Sequence, residues 1–203
     1  MSRAGNKTRQ NIMDSAQQLI VERGFAGASI DRIILDAGIT KGAFFYHFKS
    51  KANLAEALFQ RYIEHDLEAL EEICGTASRM SDDPVQRVLI ILALYAEMLD
   101  GMQDSGYGCL FAAYAFQQME FPIELKPLIV SWLKKYKALL NPYYEAAIPN
   151  GNTDQQVTAD DLITQLLIIF EGTFVLANVQ SSPTLPSRQL RLYRTQLEVL
   201  LKA

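Results

Sequence analysis

The chain has 203 residues, 49% hydrophobic and 21% charged, with a formal net charge of −4. That balance suits a soluble globular chain with a sizeable core, and no stretch approaches the ~18 uninterrupted apolar residues of a membrane span, so a cytoplasmic protein with no membrane partner is expected. Two cysteines, Cys74 and Cys109, lack CxxC spacing and neighbouring histidines, which argues against a disulfide framework and a zinc site.

In chain order, Ile12, Ala16, Leu19 and Ile20 share one helical face, with Gly24 as a stop. Ile30, Ile33, Ile34 and Ala37 make a second stripe, capped by Ser29 and ended by Gly38. Thr40 is placed as the N-cap of a short third helix. Ser50 repeats the signal before a fourth, with the stripe Leu54, Ala57, Leu58 and Tyr62, expected to end near Ile73. Only Ala37-Gly38-Ile39 separates the second and third helices, which is helix-turn-helix spacing with a glycine able to take the left-handed conformation of a sharp turn.

Helical signals continue. Asp83-Pro84 reads as N-cap and first residue of a helix through about Leu99. Gly106 and Gly108 interrupt before CLFAAYAFQQM, and Pro122 and Pro127 punctuate the start of a helix through Trp132 and Tyr136 towards Ile148. PNGNTDQQ reads as a loop. Thr158 and Asp161 resemble a capping box opening the apolar segment LITQLLIIFEGTFVLANV, and a last amphipathic helix covers about Ser187 to Leu201. No run alternates with period two, so the fold class is all-α.

Charge is uneven: residues 1–65 hold nine Lys/Arg against six Asp/Glu, the remainder ten against seventeen. A polyanion would therefore be met by the N-terminal segment. Within it, ITKGAFFYHFKSK combines four aromatic rings, a histidine and three lysines. Thr40 and Lys41 begin its helix, where they face a phosphate or base edges; Gly42 permits close approach of a backbone; Tyr46 and His47 offer donors; Lys49 and Lys51 supply point charges at the helix exit. Phe44 and Phe48, four apart, share one face and are assigned to core. Ser29 caps a helix, bonds a phosphate, or does both.

The residues from Thr8 through Arg23-Gly24-Phe25, Ser29-Ile30-Asp31-Arg32-Ile33 and Ala37-Gly38-Ile39 to Thr40–Leu54 closely resemble the TetR/AcrR family of transcriptional regulators over about residues 8–60. The resemblance implies a homodimer whose N-terminal domains bind palindromic double-stranded operator DNA, and a C-terminal domain whose small-molecule effector releases it. It implies a division into a helix-turn-helix DNA-binding domain, residues 1–50, and a larger ligand-binding and dimerisation domain, residues 51–203. Phe45 departs from the pattern, since the family usually carries a tyrosine there whose hydroxyl reaches a phosphate; it stays among the expected DNA-facing residues without that hydroxyl.

Tyr95, Met98, Met102, Phe111, Tyr114, Trp132, Tyr136, Phe170 and Phe174 are large, soft side chains suited to an apolar or aromatic effector, with Asn178 as a polar selector. Leu162, Leu166, Ile169 and Thr173 on one helix and Leu190, Tyr193, Leu197 and Leu200 on another offer apolar surface for a four-helix dimer interface. No catalytic motif or cofactor pattern is present, so neither enzyme activity nor a cofactor is expected. Two alternatives stand beside the effector-released repressor: a redox or electrophile sensor using Cys109, and a helical small-molecule-binding protein without a specific operator.

Overall fold

The structure is a computed structural model and describes residues 3–101, 110–117, 119–148 and 157–202. Among the described residues there are nine α-helices and no strand: α1 Arg3–Gly27, α2 Ile30–Asp36, α3 Lys41–His47, α4 Lys51–Met80, α5 Pro84–Gly101, α6 Leu110–Phe116, α7 Leu125–Ala147, α8 Ala159–Gln180 and α9 Leu185–Lys202. The fold is all-α, as the periodicity indicates. The chain divides into two compact units, one of Met1–Glu64 with Gly108–Val130, the other of His65–Tyr107 with Ser131–Ala203.

In the first unit, α1 packs on α2 and α6. Its inner face, Ile12, Met13, Ala16 and Ile20, meets Phe44, Phe48, Leu54, Leu58 and Phe59 in a fully buried core. Arg61 on α4 bonds Gln10, Asp14 and Gln17 of α1, the last at 3.1 Å, which holds the two helices in register. Gly24 does not stop α1; it kinks it, with φ 76° and ψ 168°, and the helix resumes to Gly27. Beyond the kink the chain is held by the segment after α6. Gln117 Oε1 accepts from the Phe25 amide at 2.9 Å, Glu120 Oε2 accepts from the Ala26 amide at 3.2 Å, and the Phe25 and Phe121 rings stack at 4.4 Å. A methyl group on Gly24 would lie 2.5 Å from Gln117 Oε1, and a positive φ strains any L side chain. Gly24→Ala is accordingly expected to cost about 1–3 kcal/mol, read as a lowered urea midpoint; an unchanged midpoint would mean that Gln117 does not hold this kink.

In the second unit, α9 packs on α5 and α8 around Leu89, Leu92, Leu140, Leu162, Leu166, Leu190 and Leu197. Tyr193 donates its hydroxyl to the Leu162 carbonyl at 2.8 Å, and Arg194 Nε donates to the Leu89 carbonyl at 3.0 Å. The expected caps are present. Asp83 Oδ1 accepts from the Gln86 amide at 3.0 Å, and Thr158 and Asp161 form a reciprocal capping box at the start of α8. α4 runs on to Met80, past the expected end near Ile73, because Cys74 and Ala77 extend its buried stripe. The PNGNTDQQ loop lies outside the described residues.

Candidate nucleic-acid interface

The turn between α2 and α3 is built from the residues that the sequence singles out. Ser29 Oγ caps α2 by accepting from the Arg32 amide at 3.3 Å, Gly38 takes φ 62°, and Thr40 Oγ1 caps α3 by accepting from the Ala43 amide at 3.2 Å. Asn11 of α1 donates its side-chain amide to the Ala37 carbonyl at 2.8 Å and so fixes the turn against α1. The sequence reading gave Asn11 no role; its place on the polar side of α1 was the available signal.

With α3 fixed in this way, its faces separate cleanly. Phe44 and Phe48 are fully buried, their ring centroids 6.1 Å apart, and the Arg9 guanidinium lies 5.2 Å from the Phe48 centroid. Outward stand Lys41, Gly42, Phe45 at 44% exposure and Tyr46 at 76%, with Lys49 exposed just beyond. Phe45 also sets its ring edge-on against Phe44 at 5.3 Å, so it is half support and half surface. A methyl group on Gly42 would meet no atom of the chain closer than the Thr40 hydroxyl at 4.0 Å, so the chain's own packing does not require a glycine there.

Two expected contacts look different in detail. His47 is half-buried with its ring 4.9 Å from Tyr46, and its Nδ1 is buried without a hydrogen-bond partner, leaving Nε2 as the nitrogen able to reach outward. Lys51, expected to hold a phosphate, instead donates Nζ to the Phe25 carbonyl and sits 4.1 Å from the centre of the Phe25 ring. Burial lowers its pKa from the ordinary lysine value, and the Glu120 carboxylate opposes that shift. A short reach to Phe25 within the same unit competes with any outward contact.

The comparisons agree with this geometry. A family model described as bacterial regulatory proteins, tetR family, matches residues 12–58, which contain the whole turn and α3. The HTH-type transcriptional repressor DhaR of Mycobacterium sp. (strain GP1) is 28% identical over 171 residues, covering 81% of this chain and 79% of DhaR. The repressor NemR of Escherichia coli K12 is 23% identical, covering 86% and 83%. The crystal structure of a TetR regulatory protein from Rhodobacter sphaeroides superposes with TM-score 0.74 at 21% identity, covering 92% of this chain and 96% of that one. Residues 12–58 thus carry the tetR-family domain, and the full-length relatives support a TetR/AcrR family regulator.

The expected effector residues fall in both compact units. Phe111 and Tyr114 pack with Phe59 and Phe121 in the first unit, with centroids 5.5–6.2 Å apart. Tyr95, Trp132, Tyr136 and Phe170 gather in the second. There Trp132 and Tyr136 are 5.5 Å apart, Tyr95 and Phe170 5.2 Å, and Tyr136 donates to the Tyr95 hydroxyl at 3.2 Å. Met98 and Phe174 are half-buried and Asn178 is exposed; Met102 and Cys109 lie outside the described residues. The sequence reading missed Asp66, whose Oδ2 accepts from Trp132 Nε1 at 2.7 Å in the midst of the second group. Burial pushes its pKa up to about 6, against the opposing pull of the indole N–H. Cys74 is buried, and desolvation, with Glu71 adding to it, pushes its thiol up to about 12, which makes it a structural rather than a reactive cysteine.

The expected dimer residues need a correction of face. Leu162, Leu166, Thr173, Leu190, Tyr193 and Leu197 are buried within the second unit itself, with Ile169 and Leu200 half-buried. The exposed stripe of α8 is instead Gln165, Ile168, Gly172, Leu176 and Val179, and that of α9 is Arg188, Leu192, Thr195 and Val199. α8 is apolar on nearly all sides, so periodicity alone does not say which stripe faces inward.

Proposed function

We propose that this regulator is a repressor that binds a palindromic operator as a dimer through α3 of each copy, and that a small apolar or aromatic effector held in the second unit releases it. The observation that carries the reading is the two-faced α3: Phe44 and Phe48 are buried, while Lys41, Gly42, Tyr46 and Lys49 are displayed with no partner from the chain's own core. Such a helix presents donors and positive charge to a groove and its phosphates. Residues 1–50 form the DNA-binding domain in this reading, and residues 51–203 the ligand-binding and dimerisation domain.

Dimerisation is supported by the outer stripes of α8 and α9. Ile168, Leu176, Val179, Leu192 and Val199 are exposed apolar side chains, and Gly172 has open space where a second helix could approach closely. α8 is long and apolar enough to cross a membrane by length and composition. Its outer stripe nevertheless includes Gln165 and adjoins exposed Asn178 and Gln180, which suit a protein partner better than lipid. A palindromic operator would require the α3 helices of two joined copies to reach half-sites about 34–36 Å apart. An effector acts on that spacing through α4, whose residues belong to both units.

Two substitutions separate surface from support. Gly42→Ala is expected to hold or raise stability by about 0.5–1 kcal/mol, as alanine does in a helix. It should nonetheless weaken operator binding, because the added methyl meets the DNA. Tyr46→Ala should weaken binding by about 1–3 kcal/mol with little change in the melting temperature. Fluorescence-anisotropy titration of a duplex recovered by selection, paired with thermal melts, measures both. Unchanged operator affinity in both variants would remove α3 from the DNA.

A further inference from the structure

Asp66 is an acid in an apolar stripe. On α4 it is followed by Leu70, Ile73, Cys74 and Ala77, all buried. By contrast Asp14, Asp82 and Asp160 pair with Arg or Lys at exposed positions, and the half-buried Asp100 and Glu198 also have such partners. Among the described residues, Asp66 has no Lys, Arg or His partner and accepts a hydrogen bond from the Trp132 indole. Residues 102–109 and 149–156 contain no Lys, Arg or His in their sequence. Among the described residues, Asp66 acts electrostatically on Tyr95 of α5 and Tyr136 of α7, neither of them a cation.

A carboxylate drawn into such surroundings is stabilised when a cation pairs with it, and remains costly otherwise. A metal ion is a poor candidate, since no group of three or more His, Cys, Asp or Glu able to hold one occurs among the described residues. The surroundings fit an organic cation. The Trp132, Tyr136, Tyr95 and Phe170 rings supply aromatic faces, and aromatic faces attract ammonium groups. Asp66 is half-buried whereas Tyr95, Trp132 and Tyr136 are buried, so it is more exposed than those three rings.

We propose that Asp66, with the rings of Trp132, Tyr136 and Tyr95, selects an effector that carries an organic cation, such as an ammonium or amidinium, on an aromatic or apolar body. This rests on the reading that the second unit holds the effector. The ammonium N–H groups donate to the Asp66 oxygens that the indole leaves free, and the body of the ligand lies against the rings. A neutral analogue of the same shape makes the ring contacts but leaves the carboxylate without its counter-charge.

Trp132 is the chain's single tryptophan, so its fluorescence reports on this site directly. The probes are 2-phenylethylamine, 2-phenylethanol and phenylacetate, titrated into the full chain at about pH 8, where an alkyl ammonium stays protonated. The amine is expected to give a saturable change at least about tenfold tighter than the alcohol, with phenylacetate weakest. Asp66→Asn, checked for folding by circular dichroism, should bring amine and alcohol to within about twofold of each other. Equal binding of amine and alcohol to the unaltered chain, an amine preference that survives Asp66→Asn, or no saturable response to any probe would each overturn the proposal. The same titrations repeated on operator-bound protein keep the two readings apart. Selective amine binding that leaves the operator bound would count against effector release, while the Asp66 site stands.

Discussion

Phe44→Ala is expected to cost about 3–5 kcal/mol, the range for emptying a fully buried phenylalanine site. Phe44 has no exposed surface and lies between the Phe45 and Phe48 rings, at 5.3 and 6.1 Å. Against a total stability on the order of 5–15 kcal/mol, that loss is large. It falls on the element that presents Lys41, Gly42 and Tyr46, so operator binding should be lost together with the structure of α3. Phe45→Ala is the matched control: this ring is 44% exposed and its removal should cost about 1 kcal/mol or less. Urea unfolding followed by circular dichroism measures both. A Phe44→Ala cost as small as that of Phe45→Ala would mean that the helix is not anchored from beneath as described.

The second large effect is a pH-dependent gain of stability in Asp66→Asn. Burial raises the Asp66 pKa from 3.8 to about 6, so its protonated form is the one that the fold prefers. As pH rises from below 4, the unfolded chain gives up this proton first. The stability contributed by the neutral acid is therefore lost progressively and is gone by about pH 7. A shift of that size corresponds to about 3 kcal/mol at most, and Asp66 is half-buried, so about 2 kcal/mol is the better expectation. Asparagine keeps an acceptor for the Trp132 indole and never ionises. The variant should then melt several degrees above the unaltered chain near pH 8, with the gap closing towards pH 4.5. A gap of the same size at both pH values would show that Asp66 titrates normally and that its charge costs the fold nothing.

The first unit was largely legible because its information is local. Caps at Ser29 and Thr40, the left-handed Gly38 and the spacing of Phe44 to Phe48 all act within a few residues, and each has the geometry that its sequence position implies. Lys51 was misread because its partner, the Phe25 carbonyl, is 26 residues away and reachable only after α1 kinks at Gly24. Gln117 and Phe121 close the same kink from more than ninety residues away, a pairing that no period in the sequence encodes.

The second unit was less legible. Asp66 sits in the run EHDLEALEE, which reads as a solvated acidic face. Its position four residues after Tyr62 and four before Leu70 was the signal that it shares the apolar stripe. The aromatic residues chosen for an effector divided between two units because composition identifies soft side chains without saying which of them meet. On α8, apolar residues on nearly every side left inner and outer stripes indistinguishable until the packing of α9 fixed one of them.

The central claim is that the exposed face of α3, displayed twice by a dimer, reads a symmetric DNA site. Selection of bound duplexes from a random-sequence library by the full chain at moderate salt tests it most directly. The account predicts enrichment of an inverted repeat whose half-site centres lie about one helical turn apart, or a whole multiple of it, with at least a thousandfold preference over scrambled duplex. Recovery of DNA with no shared sequence, bound only through a salt-sensitive attraction to phosphate, would contradict it.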